Sequence, residues 1–108
     1  MVWLMILLLL EPVSIKARPT AQIYNGKNEV YIEVVVPRNP DNRLLVIDWY
    51  SGSSEIALHG DNSLPIFRRI ARDLDPGEYE AIAVLVRVID GERKVFTAKT
   101  NFIVKGGV

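Results

Sequence analysis

The sequence contains no cysteine, one histidine and no excess of positive or negative charge. Without cysteine, the chain can form no disulfide bond, no thiolate zinc site and no thiol nucleophile. The single histidine, His59, excludes paired imidazoles and metal sites built from several histidines. The 13 Lys and Arg side chains balance 13 Asp and Glu side chains. The chain therefore lacks the net positive charge that favours nucleic-acid binding, and we expect no nucleic-acid partner.

Motifs that carry chemistry are also missing. His59 lies in a turn-like stretch between Leu58 and Gly60, which is typical of a surface residue. The serines lie in turn-rich stretches, the carboxylates are scattered, and the sequence has no glycine-rich phosphate loop and no nucleophile elbow. The sequence therefore predicts a protein that is not an enzyme and has no catalytic, cofactor-binding or metal-ligating residues.

The first ten residues, Met1 to Leu10, contain no polar side chain. As a helix they would span about 15 Å, which is half of the roughly 30 Å that a bilayer core requires. Their length fits the apolar middle of a secretory signal peptide, which is typically about 7–15 residues. Pro12 would end the helix, and Ala17 offers a small residue for cleavage. Two features are less typical of a signal peptide: no Lys or Arg precedes the apolar run, and Ile15, two residues before Ala17, is bulky for a cleavage site.

These features predict a leader over residues 1–17 and a domain over residues 18–108. The domain would then be exported to the periplasm, the cell surface or the medium, and it would touch a membrane only through the leader before cleavage. An N-terminal strand or helix that packs in the core is the alternative reading of the apolar run.

The remainder of the sequence is rich in short β-forming segments that end at turn residues. Asn25-Gly26 and Asp90-Gly91 are strong turn dipeptides, and the second separates two long β-forming runs as a hairpin does. The predicted strands are residues 20–24, 29–36, 43–50, 55–58, 77–89 and 94–104.

The segment Leu64 to Leu74 is ambiguous. Its apolar residues recur at helical spacing, and Ser63 could cap a helix there. Its neighbours, however, are strands spaced about 8–12 residues apart, which is typical of a β-sandwich. We therefore predict a seventh strand here and an all-β, antiparallel sandwich of about seven strands.

Two clusters carry a resemblance to a known class of domain. In the first, Leu74 and a Pro-Gly turn precede Tyr79 at the start of a strand, as in the tyrosine corner of immunoglobulin-like sandwiches. In the second, Trp49 follows an apolar strand in the manner of the core tryptophan of strand C. The sequence resembles a disulfide-free, bacterial immunoglobulin-like or fibronectin type III-like domain.

The resemblance implies a set of core residues. Trp49, Tyr79 and Leu74 would pack in the core, and Ala81 would occupy the place of the strand F cysteine. Ile32 or Val34 would stand at the place of the strand B cysteine. An apolar core would thus replace the usual bridge between the sheets.

The strand over 77–89 has a second apolar side. If Tyr79 and Ala81 point inward, Ile82, Val84 and Val86 point outward. An apolar outer side predicts a cover, and we predict an interaction face here. The cover could be the segment 64–74 as a helix, a partner protein, a second copy of the chain or simply neighbouring long side chains.

The sequence favours a non-catalytic exported domain that serves protein–protein interaction or structural support. The alternatives are a module that binds carbohydrate or another small polar ligand, with Tyr24, Tyr31 and Tyr50 as an aromatic platform, and a domain with no separable biochemical activity. Resemblance at the level of the fold carries no activity with it.

Overall fold

A computed structural model describes residues 11–19, 29–62, 64–72 and 74–104 of the chain. In these residues the protein is all-β, with seven strands in two antiparallel sheets and one 3-10 turn at Gly60–Asn62. No helix within these residues has the length and apolarity needed to span a bilayer. The strands are β1 (Ser14–Pro19), β2 (Glu29–Val35), β3 (Asn42–Asp48), β4 (Ser53–Ala57), β5 (Ile66–Arg72), β6 (Gly77–Ile89) and β7 (Glu92–Val104).

The two sheets have three and four strands. The three-stranded sheet has the order β1-β2-β5, and the four-stranded sheet has the order β4-β3-β6-β7. Every pairing is antiparallel. The architecture is consistent with a β-sandwich, so the predicted fold class is confirmed at this level.

Alternation along the strands places one side of each sheet in a shared core. In β2, Val30, Ile32 and Val34 are buried while Tyr31 is exposed. The same period of two governs β6, and it leaves the second side of each strand outside the core. The apolar residues with no exposed surface are Ile32, Val34, Leu45, Ile47, Ala71, Ala81, Ala83 and Leu85.

The hairpin between β6 and β7 forms where the turn dipeptide predicts it. Ile89 pairs with Glu92, so the loop has two residues, Asp90 and Gly91. Both have positive φ, 51° for Asp90 and 79° for Gly91. Two consecutive positive φ angles are the signature of a type I′ turn, which suits the twist of paired strands.

β1 crosses the predicted boundary between leader and domain. Val13 and Ile15 are buried in the core, and β1 pairs with β2 from Ser14 onward. A cut after Ala17 would therefore fall inside β1. The apolar residues 1–10 and the predicted strand 20–24 lie outside the described residues.

The ambiguous segment forms the strand β5, and the helical reading is wrong. β5 pairs with β2 along its length, and Ala71 is fully buried. Arg68 and Arg72 form ion pairs with Glu33 and Glu29 of β2 at 3.4 and 3.6 Å. Because β5 belongs to the three-stranded sheet, it cannot cover the outer side of β6 in the other sheet.

Candidate interaction face

The solvent side of the four-stranded sheet carries a continuous apolar surface, which we call the outer face. Strand register decides its membership, since residues directly opposite each other lie on the same side of a sheet. One row joins Leu44, Val86 and Val95, and the next joins Val46 and Val84. The apolar members of the outer face are Leu44, Val46, Ala57, Ile82, Val84, Val86, Val88, Val95 and Ile103.

The exposed fraction of the side chains on the outer face rises from its centre towards β7. Val86 near its centre is only 6% exposed, whereas Val95 on β7 is 58% exposed. Ile82 and Val84 are half-buried. The three residues predicted as an interaction face therefore lie together on one surface, and neighbouring strands cover them in part.

Charged side chains of opposite sign flank the outer face. Asp48 of β3 and Glu55 of β4 lie on one flank, which we call the acidic flank. Arg93 and Lys99 of β7 lie on the other, the basic flank. Register fixes the sides, because Asp48 and Lys99 both stand opposite Ile82. The outer face is thus an apolar strip between these two flanks, and the carboxylate Glu80 lies on the same side of β6, one position beyond Ile82 on that side.

The predicted core residues lie inside or against the core. Ile32, Val34 and Ala81 are fully buried, and Leu74 is 8% exposed. Trp49 and Tyr79 are half-buried and pack against this core from its end.

Tyr79 makes the contact that defines a tyrosine corner. Its hydroxyl donates a hydrogen bond to the backbone carbonyl of Asp75, four residues upstream. Its ring stacks on Phe102 with 5.6 Å between centroids and meets the edge of the Tyr50 ring at 4.6 Å. Desolvation by these neighbours raises the pKa of Tyr79, and the charges of Tyr50 and Asp75 raise it further.

An open cavity of about 730 Å³ lies beside this aromatic cluster. Tyr50, Tyr79 and Phe102 line it together with the carboxylates Glu78 and Glu80. Tyr50 is 62% exposed and has a φ of 74°. Its N–H donates to Oδ1 of Asp48 at 3.0 Å, which stabilises this unusual backbone.

Two of the three tyrosines proposed as a ligand platform, Tyr31 and Tyr50, belong to different sheets. Tyr31 lies on the solvent side of β2, in the three-stranded sheet. Tyr50 follows β3 of the other sheet. Tyr24 is outside the described part of the chain. Tyr31 and Tyr50 therefore do not share one flat surface.

Sequence patterns missed several residues that matter to the surface. Leu44, Val46 and Val95 belong to the outer face through strand pairing, and Arg87 of β6 donates a partly buried hydrogen bond to Asn42 of β3. The period-two pattern of each strand marks which residues share a side, but it does not reveal which strands are neighbours.

The described residues contain no group of three or more His, Asp or Glu side chains that could hold a metal ion. His59 is exposed after β4. In the part of the chain that the structure describes, we consider the outer face and the cavity beside Tyr50 as candidates for function. Comparison of the chain with protein-family models, curated proteins and solved structures finds no significant match.

Proposed function

We propose that this protein is a non-catalytic, exported immunoglobulin-like domain that works by protein–protein contact through the outer face. The observation that carries the proposal is the apolar strip across the centre of that face. A sheet that faces water usually alternates apolar and polar residues. Here β6 carries apolar residues on both sides, since Ala83 and Leu85 face the core while Val84 and Val86 face outward.

The immunoglobulin-like assignment is supported by local contacts and by the position of β4. Tyr79 bonds Asp75 at a corner, and Trp49 packs on the core at the end of β3. In constant-type immunoglobulin domains the fourth strand joins the sheet of the first, second and fifth. Here β4 pairs with β3 instead, which favours the fibronectin type III-like form of the resemblance.

Export is supported by the apolar residues 1–10 and by their resemblance to a signal-peptide core. Because β1 needs Val13 and Ile15, we place the start of the mature domain upstream of Val13. Amino-terminal sequencing of the protein purified from its native cell envelope tests both points. A mature chain that begins at Arg18, or an uncleaved chain in the cytoplasm, would contradict them.

Site-specific photo-crosslinking tests the interaction face. A photoreactive residue at Val95 should capture a protein in the native envelope, and Val84→Asp should abolish that capture by placing a charge in the apolar strip. The matched control is the same probe at Tyr31, which is 40% exposed on the other sheet. Equal capture at both positions, or none at Val95, would contradict a specific face.

A second candidate function, binding of a small polar ligand, is favoured by one observation. Tyr50 keeps a φ of 74° and presents its ring to a cavity that Glu78 and Glu80 also line. Unusual backbone angles on bulky residues are enriched at functional sites. Titration with a panel of glycans and small polar cations, followed by NMR, should shift Tyr50 signals, and Tyr50→Ala should abolish binding whereas Tyr31→Ala should not.

A further inference from the structure

We propose that a second copy of this chain occupies the outer face and forms a two-fold dimer whose axis runs parallel to the strands. The proposal rests on the proposed function, because it names the occupant of the same face. The distribution of charge across the four-stranded sheet points to this occupant.

The two flanks make the outer face complementary to itself. The acidic flank of Asp48 and Glu55 and the basic flank of Arg93 and Lys99 lie on opposite sides of the strip. Complementary charges at the rim of an interface select orientation and disfavour wrong partners. When a second copy packs face to face after a two-fold rotation, the acidic flank of each copy can lie against the basic flank of the other.

The charges also select the axis. A two-fold axis parallel to the strands places β4 of one copy over β7 of the other, so that Glu55 approaches Lys99 of the second copy. An axis across the strands would instead place β7 over β7, and Arg93 would approach Lys99. Like charges at an interface oppose association, so the parallel axis is the favoured one.

The size of the outer face indicates a weak dimer. Four strands about 4.8 Å apart and a shared length of about six residues give roughly 400 Å² per copy. A standard interface buries about 800 Å² per partner. We therefore expect a dissociation constant of about 0.1–1 mM, which permits association at high local concentration on a surface.

Residues 1–10 of the same copy are an alternative occupant of the outer face, and the test must distinguish them from a second copy. Glu11 and Pro12 line an open cavity together with Val95 and Phe96 of β7. The apolar residues 1–10 therefore join the described chain close to β7. Coverage of the outer face by residues 1–10 of the same copy would leave a monomer at all concentrations. That outcome would overturn the dimer.

Charge reversal across the interface provides the decisive test. In sedimentation and NMR dilution series of the full chain from about 10 µM to about 1 mM, the wild type should dimerise. Lys99→Glu and Glu55→Lys should each weaken the dimer about tenfold, and the double variant should regain most of the affinity. Within one copy these residues are three strand spacings apart, about 14 Å, so that only a contact between copies explains a rescue.

A control variant and three further results complete the test of the dimer. Arg18→Glu, on the solvent side of β1, is the matched control and should leave dimerisation unchanged. A stronger dimer for Lys99→Glu would overturn the parallel axis. A strict monomer at about 1 mM that still gives specific crosslinks from Val95 would overturn the dimer and retain the proposed function, whereas a monomer without crosslinks would remove both.

Discussion

Nε of Arg87 donates a hydrogen bond to Oδ1 of Asn42 at 2.8 Å and so joins β6 to β3. The amide of Asn42 donates in turn to the carbonyl of Pro37 at 3.1 Å. Asn42 is 1% exposed and is the single buried polar side chain in the part of the chain that the structure describes. The Arg87 guanidinium lies 5.4 Å from the centroid of Phe96, and desolvation lowers the pKa of Arg87 while Asp41 opposes the change. The bonded pair lies where the register of β3 against β6 shifts.

We expect Asn42→Leu to destabilise the domain by about 2–3 kcal/mol, because the carbonyl of Pro37 and Nε of Arg87 both lose their partner. Chemical denaturation of the wild type, Asn42→Leu, Arg87→Met and the double variant gives the coupling between the two side chains. A coupling free energy of about 1 kcal/mol or more is expected, since the residues are in direct contact. Strict additivity would contradict a cooperative pair.

Tyr79 should make stability depend on alkaline pH. A raised pKa means that the folded protein holds the phenolic proton more tightly than the unfolded chain does. The corresponding stabilisation is complete below the ordinary pKa of about 10 and is lost as pH rises through the folded value. We therefore expect Tyr79→Phe to be less stable than wild type near neutral pH, with a difference that shrinks above about pH 10.

Denaturant titrations at a series of pH values measure this difference. The matched control is Tyr31→Phe, since the Tyr31 hydroxyl donates to the Glu29 carboxylate at 3.4 Å on the exposed surface. It should cost little at any pH. A difference between wild type and Tyr79→Phe that stays constant through the alkaline range would contradict a role for the protonated hydroxyl.

Gly52 should be required for the packing of Trp49. A Cβ atom at Gly52 would lie 2.5 Å from Cζ2 of Trp49, so the ring would have to move away from its place against the core. We expect Gly52→Ala to cost about 1–3 kcal/mol through this overpacking, measured as a lower midpoint of denaturation. Ser53→Ala, at the exposed neighbouring position, is the control and should change stability by less than about 0.5 kcal/mol.

The sandwich fold could be predicted because its signals are local. The alternation in β2 and β6, the Asp90-Gly91 turn and the Tyr79 corner all lie within short stretches of sequence. β5 shows the limit of such signals, since its apolar spacing favours a helix. Pairing with β2 and burial of Ala71 decide its structure, and both depend on residues distant in sequence.

The candidate site could be predicted only in part, because the pairing of strands depends on residues that are distant in sequence. The outward side of β6 follows from alternation, so Val84 and Val86 could be named. Leu44 and Val95 join them through pairings between strands, and the order of strands is a property of the whole fold. The opposed flanks, which depend on that order, could not be found in the sequence.

Val13, just before β1, and Ile15 within β1 both lie inside the leader that the sequence predicts over residues 1–17. Val13 and Ile15 are 5% and 8% exposed in the core. Removing both from water contributes about 1.5–3 kcal/mol each, so a chain that begins at Arg18 should lose about 3–6 kcal/mol of unfolding free energy. This is a large share of the 5–15 kcal/mol that is typical of a domain of about this size. Denaturation of chains that begin at Glu11 and at Arg18 measures the loss.

Two further variants separate lost packing from mere shortening of the chain. In the full chain, Val13→Ala combined with Ile15→Ala should reproduce most of the destabilisation, because it empties the same sites and leaves the backbone of β1 in place. Lys16→Ala, next to Ile15 on the solvent side of β1, is the control and should cost less than about 0.5 kcal/mol. If the chain that begins at Arg18 unfolds at the same denaturant concentration as the longer one, β1 upstream of Arg18 is dispensable. The predicted boundary after Ala17 would then stand, because the domain would fold without the residues that precede it.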